Sequence, residues 1–520
     1  MLNNTSMKFR ENILATGQMA LLLIVSLWLR LVELGYSNFQ GDELNALCRY
    51  TDFKSLYQFV FYLLGQQKGP VQYLVTYTYS LFDPSFSSEL AVRLPFAMAN
   101  LAALACFFLL VRRLFNLQVA IYASFLFAVN GIFIAFARIV QYQSFVLLGG
   151  TAALLSLSLA LQYEKWRLPG LYLGFVLAAM ALLAHFDAAF FLPPMAVLVL
   201  HGWWRFRSQP GFARLRWHLV AAGALFTLLV LAFYVPYALQ LGSYQTNYWE
   251  NRFANAPTDI LQLFQFYNPG PVLWIGLGLV ILGLTRVRNT LGWQVTLAWL
   301  LPPLIFMTLI FRDSRTHAYT YILPMFIVAG VGIDALVGWL ARLLGERASR
   351  AAIAAVLAVF LVLSYVSHAI IIDRHPEYPW YPKRVLGMQL EGGRLTGTFG
   401  FPYRRDWREI GQWFEELPRD EQPVVVTNEK FQFVTFYLPA DVRNMYKYSE
   451  KKVPAEIDAP NGIYILIIPG PQSWMDQLWG LSLDDWHEKF VPRKDFTNED
   501  GKLVASIYFL TPEQIEQEFH

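Results

Sequence analysis

Five groups of polar residues stand out in a chain that is 56% apolar and only 15% charged, where soluble domains carry about 25% charged residues. The first is Asp42 with Glu43, in GYSNFQGDELNALCRY. A carboxylate there can take the proton of an attacking hydroxyl; the plain alternative is a solvated acidic pair at a helix end. The second is Lys68 in QQKGPVQYLVTY, just before a helix start. Its ammonium suits a lipid phosphate, or else anchors the helix to headgroups. The third, FARIVQYQSF, offers Arg138, Gln141 and Gln143. The fourth, AHFDAAFF, offers His185 and Asp187, which fit either capping and packing or a ligand role. The fifth, FRDSRTHAYTYILP, gathers Arg312, Arg315, His317, Tyr319 and Tyr321. Arginine presents a planar donor fork to phosphate oxygens and tyrosine adds hydroxyl donors, although tyrosines also populate the aromatic belt of any membrane protein. One acid and several cations are what a transfer from a phosphate leaving group requires: a base for the nucleophile and positive charge for the departing oxygen.

Whether these groups meet depends on the helices between them. A spanning helix needs roughly 17–25 mostly apolar residues. The sequence predicts eleven, over 13–35, 91–113, 118–137, 142–162, 168–184, 188–205, 217–240, 271–286, 292–311, 318–342 and 351–372. The first is too long for a cleaved leader, and Lys8 and Arg10 hold its start in the cytoplasm. The run 70–83 is short and tyrosine-rich, and loop charge decides its place. If it lies in the interface, Arg112/Arg113, Lys165/Arg167, Arg205/Arg207/Arg214/Arg216, Arg286/Arg288 and Arg342/Arg347/Arg350 all fall on the cytoplasmic side, as the positive-inside rule asks. Residues 36–90 then form one long external loop with a juxtamembrane helix, and all five polar groups face outward.

Charge becomes dense after Ile372, which divides the chain into a membrane module, 1–372, and a soluble domain, 373–520, on the outer side. Within the latter, DWREIGQWFEEL has helical spacing, while PVVVTN, NGIYILIIPG and KLVASIYFL read as strands, so a small α/β domain is expected. It holds no phosphate loop, metal-ligand set or catalytic triad pattern and reads as a lid or acceptor-docking module. A net charge of +3 is too small to suggest nucleic acid. Cys48 and Cys106 lie in different environments and are not expected to pair. The fold class is thus mainly α, a polytopic membrane protein of about eleven transmembrane helices with a C-terminal soluble α/β domain.

GDE after the first helix, KGPVQYLVTY, SELAVRLPFAMANLAALACFFLLVRRLF, FARIVQYQSF and HAYTYILPMFIVAGVG occur in an order that resembles the GT-C class of membrane glycosyltransferases, close to the protein O-mannosyltransferases and the lipid A aminoarabinose transferase. FPYRRDWREIGQWF and VVVTNEK resemble the outer domain of such enzymes, so the resemblance covers nearly the whole chain. It implies a polyprenyl-phosphate-linked sugar donor, a glycolipid, glycan or protein acceptor, and a multi-pass place in the inner or plasma membrane. It implies that Asp42 is the catalytic carboxylate, that Lys68 lies near the donor phosphate, and that Tyr321 belongs to the motif before the last helices. Where some relatives carry a second acid, this chain has Gln141 or Gln143, which puts a metal-bridged site in doubt and leaves a divalent cation as a possible cofactor only. The expected mechanism is one-step inverting transfer with Asp42 as base, Glu43 as the substitute base, and Lys68, Arg138, Arg312, Arg315 and His317 around the phosphate. A lipid-linked sugar flippase, a non-catalytic scaffold and an oligosaccharide ligase with a diphosphate donor are the alternatives; a flippase would need a continuous polar path and often internal repeats.

Overall fold

The computed structural model describes residues 2–519 except 67, 241–245, 248–249, 251–252, 254–263, 265–266, 312–314, 376–383, 390–399, 419–423, 440–456, 458–460 and 474. Helix α1 (Leu2–Leu31) leads into a loop segment with three short helices, α2 (Gly41–Leu44), α3 (Leu56–Leu64) and α4 (Val71–Ser80). At about 1.5 Å per residue, α4 is far too short to cross a bilayer, in keeping with an interfacial placement of 70–83. The bundle continues with α5 (Glu89–Leu114), α6 (Leu117–Val129), α7 (Gly131–Ala137), α8 (Gln143–Gln162), α9 (Arg167–Ala184), α10 (Leu192–Phe206), α11 (Phe212–Leu239), α12 (Gly270–Leu284), α13 (Leu291–Ile305), α14 (Tyr319–Leu344) and α15 (Glu346–Ile371). Among the described residues nine helices are long and apolar enough to cross a membrane, or ten with the bent pair α6–α7. The remaining expected span, 271–286, is the shorter apolar helix α12.

The bend has a local cause. Asn130 ends α6 in an extended conformation and its side chain accepts the Ile132 amide, capping α7, so the two axes differ by 65°. Similar side-chain caps start α5 at Ser88 and α13 at Thr290; each satisfies an amide that the helix leaves orphaned.

Arginines gather at one set of helix ends. Arg286, Arg288 and Arg342 line one cleft with Asn116, Arg167 and Arg216 line another, and Arg113 donates to Gln162 at 2.7 Å. At the opposite ends, Glu33, Arg138 and Ile372 border a common crevice. Residues 36–90 and the chain after α15 therefore lie on the same side of the bundle, away from the arginine-rich ends.

Beyond α15 come a small hairpin, β1 (Arg384–Val385) and β2 (Met388–Gln389), helix α16 (Trp407–Glu415), strand β3 (Val424–Thr427), α17 (Phe431–Tyr437), β4 (Ile463–Ile467), α18 (Leu483–Lys489), β5 (Lys494–Thr497), β6 (Leu503–Leu510) and α19 (Pro512–Phe519). Four strands form one sheet in the order β3-β4-β6-β5, with β3 and β4 parallel and the others antiparallel. Side chains alternate across a strand, and both faces are covered. Val425 and Leu466 pack with Phe39, Leu44, Phe86 and Phe96, while Val424 and Ile465 pack with Trp486 and Tyr508. That is why β3 and β4 read as continuous apolar runs rather than alternating ones. The first of these clusters joins the sheet to the loop that carries α2.

Candidate functional site

The loop after α1 turns sharply into α2, the single helical turn GDEL. Gln40 caps it, and the Glu43 carboxylate reaches back to the Gln40 amide at 2.8 Å. The two neighbouring carboxylates have opposite fates. Glu43 is fully buried and meets Arg93 in a bidentate pair, Nε to Oε1 at 2.8 Å and Nη2 to Oε2 at 2.7 Å. It also accepts the Val140 amide at 2.9 Å. Arg93 spends its remaining donors on the carbonyls of Leu34, Ser37 and Asn38, so the pair is satisfied as a buried ion pair must be. Asp42, next in line on the turn, keeps a side chain that is 47% exposed. Its Oδ2 accepts Gln141 Nε2 at 3.3 Å and lies 3.8 Å from Lys68 Nζ. Lys68 in turn donates to Gln141 Oε1 at 3.1 Å. Burial lowers the pKa of this ammonium, and the Asp42 charge opposes the shift.

Lys68 reaches this place because Gly69 has no side chain: a Cβ there would overlap the Leu183 carbonyl at the end of α9. The same close approach brings it toward a second cluster. Lys68 Nζ sits 5.6 Å from the centre of the Tyr142 ring, and that ring stacks on His185 at 3.8 Å. Behind it Asp187, fully buried, receives Tyr319 Oη at 2.9 Å and faces His317 Nδ1 at 2.7 Å.

The structure thus unites Asp42, Lys68 and Gln141 in one cluster and His185, Asp187, His317 and Tyr319 in a second. Glu43, Arg138, Tyr321 and Gln143 have other surroundings. Glu43 has its lone pairs engaged and cannot stand in as a base. Arg138 directs its guanidinium to the Val32 and Glu33 carbonyls, at 2.6 and 2.9 Å, capping the end of α1 rather than awaiting a phosphate. Tyr321 lines a separate apolar cavity of 240 Å³ with Leu126, Val129, Met325 and Asn130. Gln143 is buried, its Oε1 without a hydrogen-bond partner among the described residues. Arg312 lies outside the described residues, as does the Arg315 side chain.

The sheet-bearing region contributes contacts that sequence reasoning missed. Gln472 Oε1 accepts the Gly41 amide at 3.0 Å, and Gln40 donates to the Phe401 carbonyl at 2.9 Å. Gln472 is fixed by Glu429, which accepts its amide at 3.0 Å and the Tyr403 hydroxyl at 2.5 Å. Burial raises the Glu429 pKa against these hydrogen bonds. No local pattern marks Gln472, whose role depends on a fold partner 431 residues away.

With this geometry in view, residues 67–237 match the dolichyl-phosphate-mannose-protein mannosyltransferase family. No curated protein sequence matches the chain. Solved structures do. ArnT from Cupriavidus metallidurans, bound to undecaprenyl phosphate, is 13% identical over 95% of this chain and 98% of its own, with a TM-score of 0.51. AglB, an oligosaccharyltransferase from Archaeoglobus fulgidus in complex with an inhibitory peptide and a dolichol-phosphate, is 13% identical over 97% of this chain and 75% of its own, at 0.50. The mycobacterial arabinofuranosyltransferase AftD is 12% identical over 96% of this chain and 40% of its own, at 0.52. At such identities the likeness establishes the fold: this is a multi-pass membrane protein with the GT-C glycosyltransferase fold.

Proposed function

We propose that the protein moves a sugar from a polyprenyl-phosphate-linked donor to a hydroxyl of a glycolipid, glycan or protein acceptor, with inversion, on the outer face of the inner or plasma membrane. The observation that carries this reading is the division of labour on α2: Glu43 is consumed by Arg93 while Asp42 stays half exposed beside Lys68. The acceptor oxygen attacks the anomeric carbon opposite the phosphate. The bond from that carbon to the phosphate oxygen breaks, its electron pair leaves with the lipid phosphate, and the hydroxyl proton passes to Asp42. Before donor binding Lys68 is paired with Asp42; a phosphate competes for the ammonium and releases the carboxylate as a base. Lys68 then stabilises charge on the departing oxygen, an effect that is largest in a site partly shielded from water.

The named lipid of the ArnT structure, undecaprenyl phosphate, and the donor named in the matched family support a polyprenyl-type donor. The apolar cavity beside Tyr321 offers room for part of a lipid chain. The gathering of arginine-rich helix ends on one side supports a cytoplasmic assignment for that side and, with it, the reading of α2 as external and of 373–520 as an outer domain that clamps the site.

The test is transfer of radiolabelled sugar from synthetic polyprenyl-phosphate sugars to membrane extracts, wild type against Asp42→Asn at equal expression. Loss in the variant supports Asp42 as base. Retained activity moves the base elsewhere, and no transfer by either protein from any donor overturns the transferase reading in favour of a transporter.

A further inference from the structure

We infer that His185, Asp187 and His317 form a binding site for one first-row transition-metal dication of the zinc class. Three potential ligand atoms, one from each residue, lie within 4.8 Å of one another, and all three residues are buried. The arrangement of lone pairs is what a cation would resolve. His185 Nδ1 accepts the Asp187 backbone amide at 3.2 Å, so this nitrogen carries no proton. It faces Asp187 Oδ1 at 3.3 Å, an oxygen with no other hydrogen-bond donor among the described residues. With its lone pair engaged by that amide, the imidazole nitrogen meets the carboxylate oxygen as a second acceptor inside a buried cluster. A buried, unpaired carboxylate oxygen is costly, and a metal ion placed against both atoms removes the cost.

The donor set selects the ion. Two imidazoles and one carboxylate suit zinc and its neighbours better than magnesium or calcium, which prefer all-oxygen shells. Bonds of about 2.0–2.2 Å place tetrahedral ligands roughly 3.3–3.6 Å apart; the two histidine–aspartate separations are 2.7 and 3.3 Å, and the ligand atoms, within 4.8 Å of one another, would draw together around the ion. Binding would displace the proton held between His317 and Asp187. Tyr319, donating to Asp187 Oδ2, supplies the kind of outer hydrogen bond that holds ligating carboxylates in place. Three protein ligands leave a fourth position open. The Tyr142 ring lies between this site and Lys68.

His185 and Asp187 are two residues apart in the sequence, whereas His317 lies 130 residues from Asp187, so the full ligand set is assembled only by the fold. The full chain, purified in detergent and stripped with a chelator, should retain about one zinc per chain after incubation with zinc chloride and gel filtration. His317→Gln and His185→Gln should each lower that content at least tenfold, whereas His375→Gln, at an exposed histidine, should leave it unchanged. His317→Gln keeps a donor toward Asp187, so its fold is expected to survive; its unfolding midpoint without zinc should match that of wild type, and zinc should raise the midpoint only in wild type, by mass action. Wild type that holds no zinc, or equal zinc in wild type and in both site variants, overturns the inference. Metal content is read without any donor or acceptor, so the outcome is separate from that of the transfer assay.

Discussion

The two polar clusters at this end of the bundle are built on opposite principles. At the mouth, Asp42 and Lys68 are 47% and 22% exposed and meet at 3.8 Å, a loose pair bridged by one glutamine. Deeper in, Asp187 is sealed, with histidines on two sides and a tyrosine hydroxyl on one oxygen. A loose, partly wet pair can exchange partners, which is what proton transfer and phosphate capture need. A sealed cluster cannot reorganise cheaply, and it suits holding something in place. The same contrast is repeated within α2, where the single turn points the adjacent Asp42 and Glu43 carboxylates to different surroundings.

The largest expected effect comes from removing the mobile acid. Asp42→Asn should lower transfer by about 10²–10⁴-fold, the usual worth of a general base, with an unchanged unfolding midpoint because the side chain is half exposed. An equal loss of stability and activity would mean that Asp42 is structural like its neighbour. Arg93→Ala attacks the sealed principle instead. It leaves Glu43 buried and unpaired, which costs about 3–5 kcal/mol, visible as a lowered midpoint and a loss of folded protein on gel filtration. Lys68→Gln should cost about 10²–10³-fold in kcat, in line with loss of one preorganised electrostatic group, with little change in stability. The smallest effect belongs to the clamp: Gln472→Ala removes one hydrogen bond to Gly41, about 0.5–1.5 kcal/mol, and should lower transfer only severalfold. A large effect there would mean that the sheet-bearing region shapes the site more actively than by holding α2.

Much of the scaffold was legible in the chain. The helices follow from apolar runs of spanning length, and α6–α7 from the same run interrupted at Asn130. Strands β3, β4 and β6 were readable because burial on both faces leaves short, mostly apolar runs rich in β-branched and aromatic residues. The edge strand β5, KDFT, was not, since only one of its four residues is buried. The short helices α17 and α18, seven residues each, were also missed; a helix of that length depends on tertiary packing more than on its own propensity.

At the site the sequence determined residue types and the side on which they gather, because loop charge and span length are local quantities. It identified Asp42, Lys68, Gln141, His185, Asp187 and His317 as worth attention. Tertiary structure alone decided their partners. Glu43 is occupied by Arg93, 50 residues away; Arg138 is consumed by carbonyls 105 and 106 residues away; and His317 meets Asp187 across 130. Whether a charged group is free or spent depends on the donors and acceptors that packing brings to it, and those distances in sequence leave no local pattern to read.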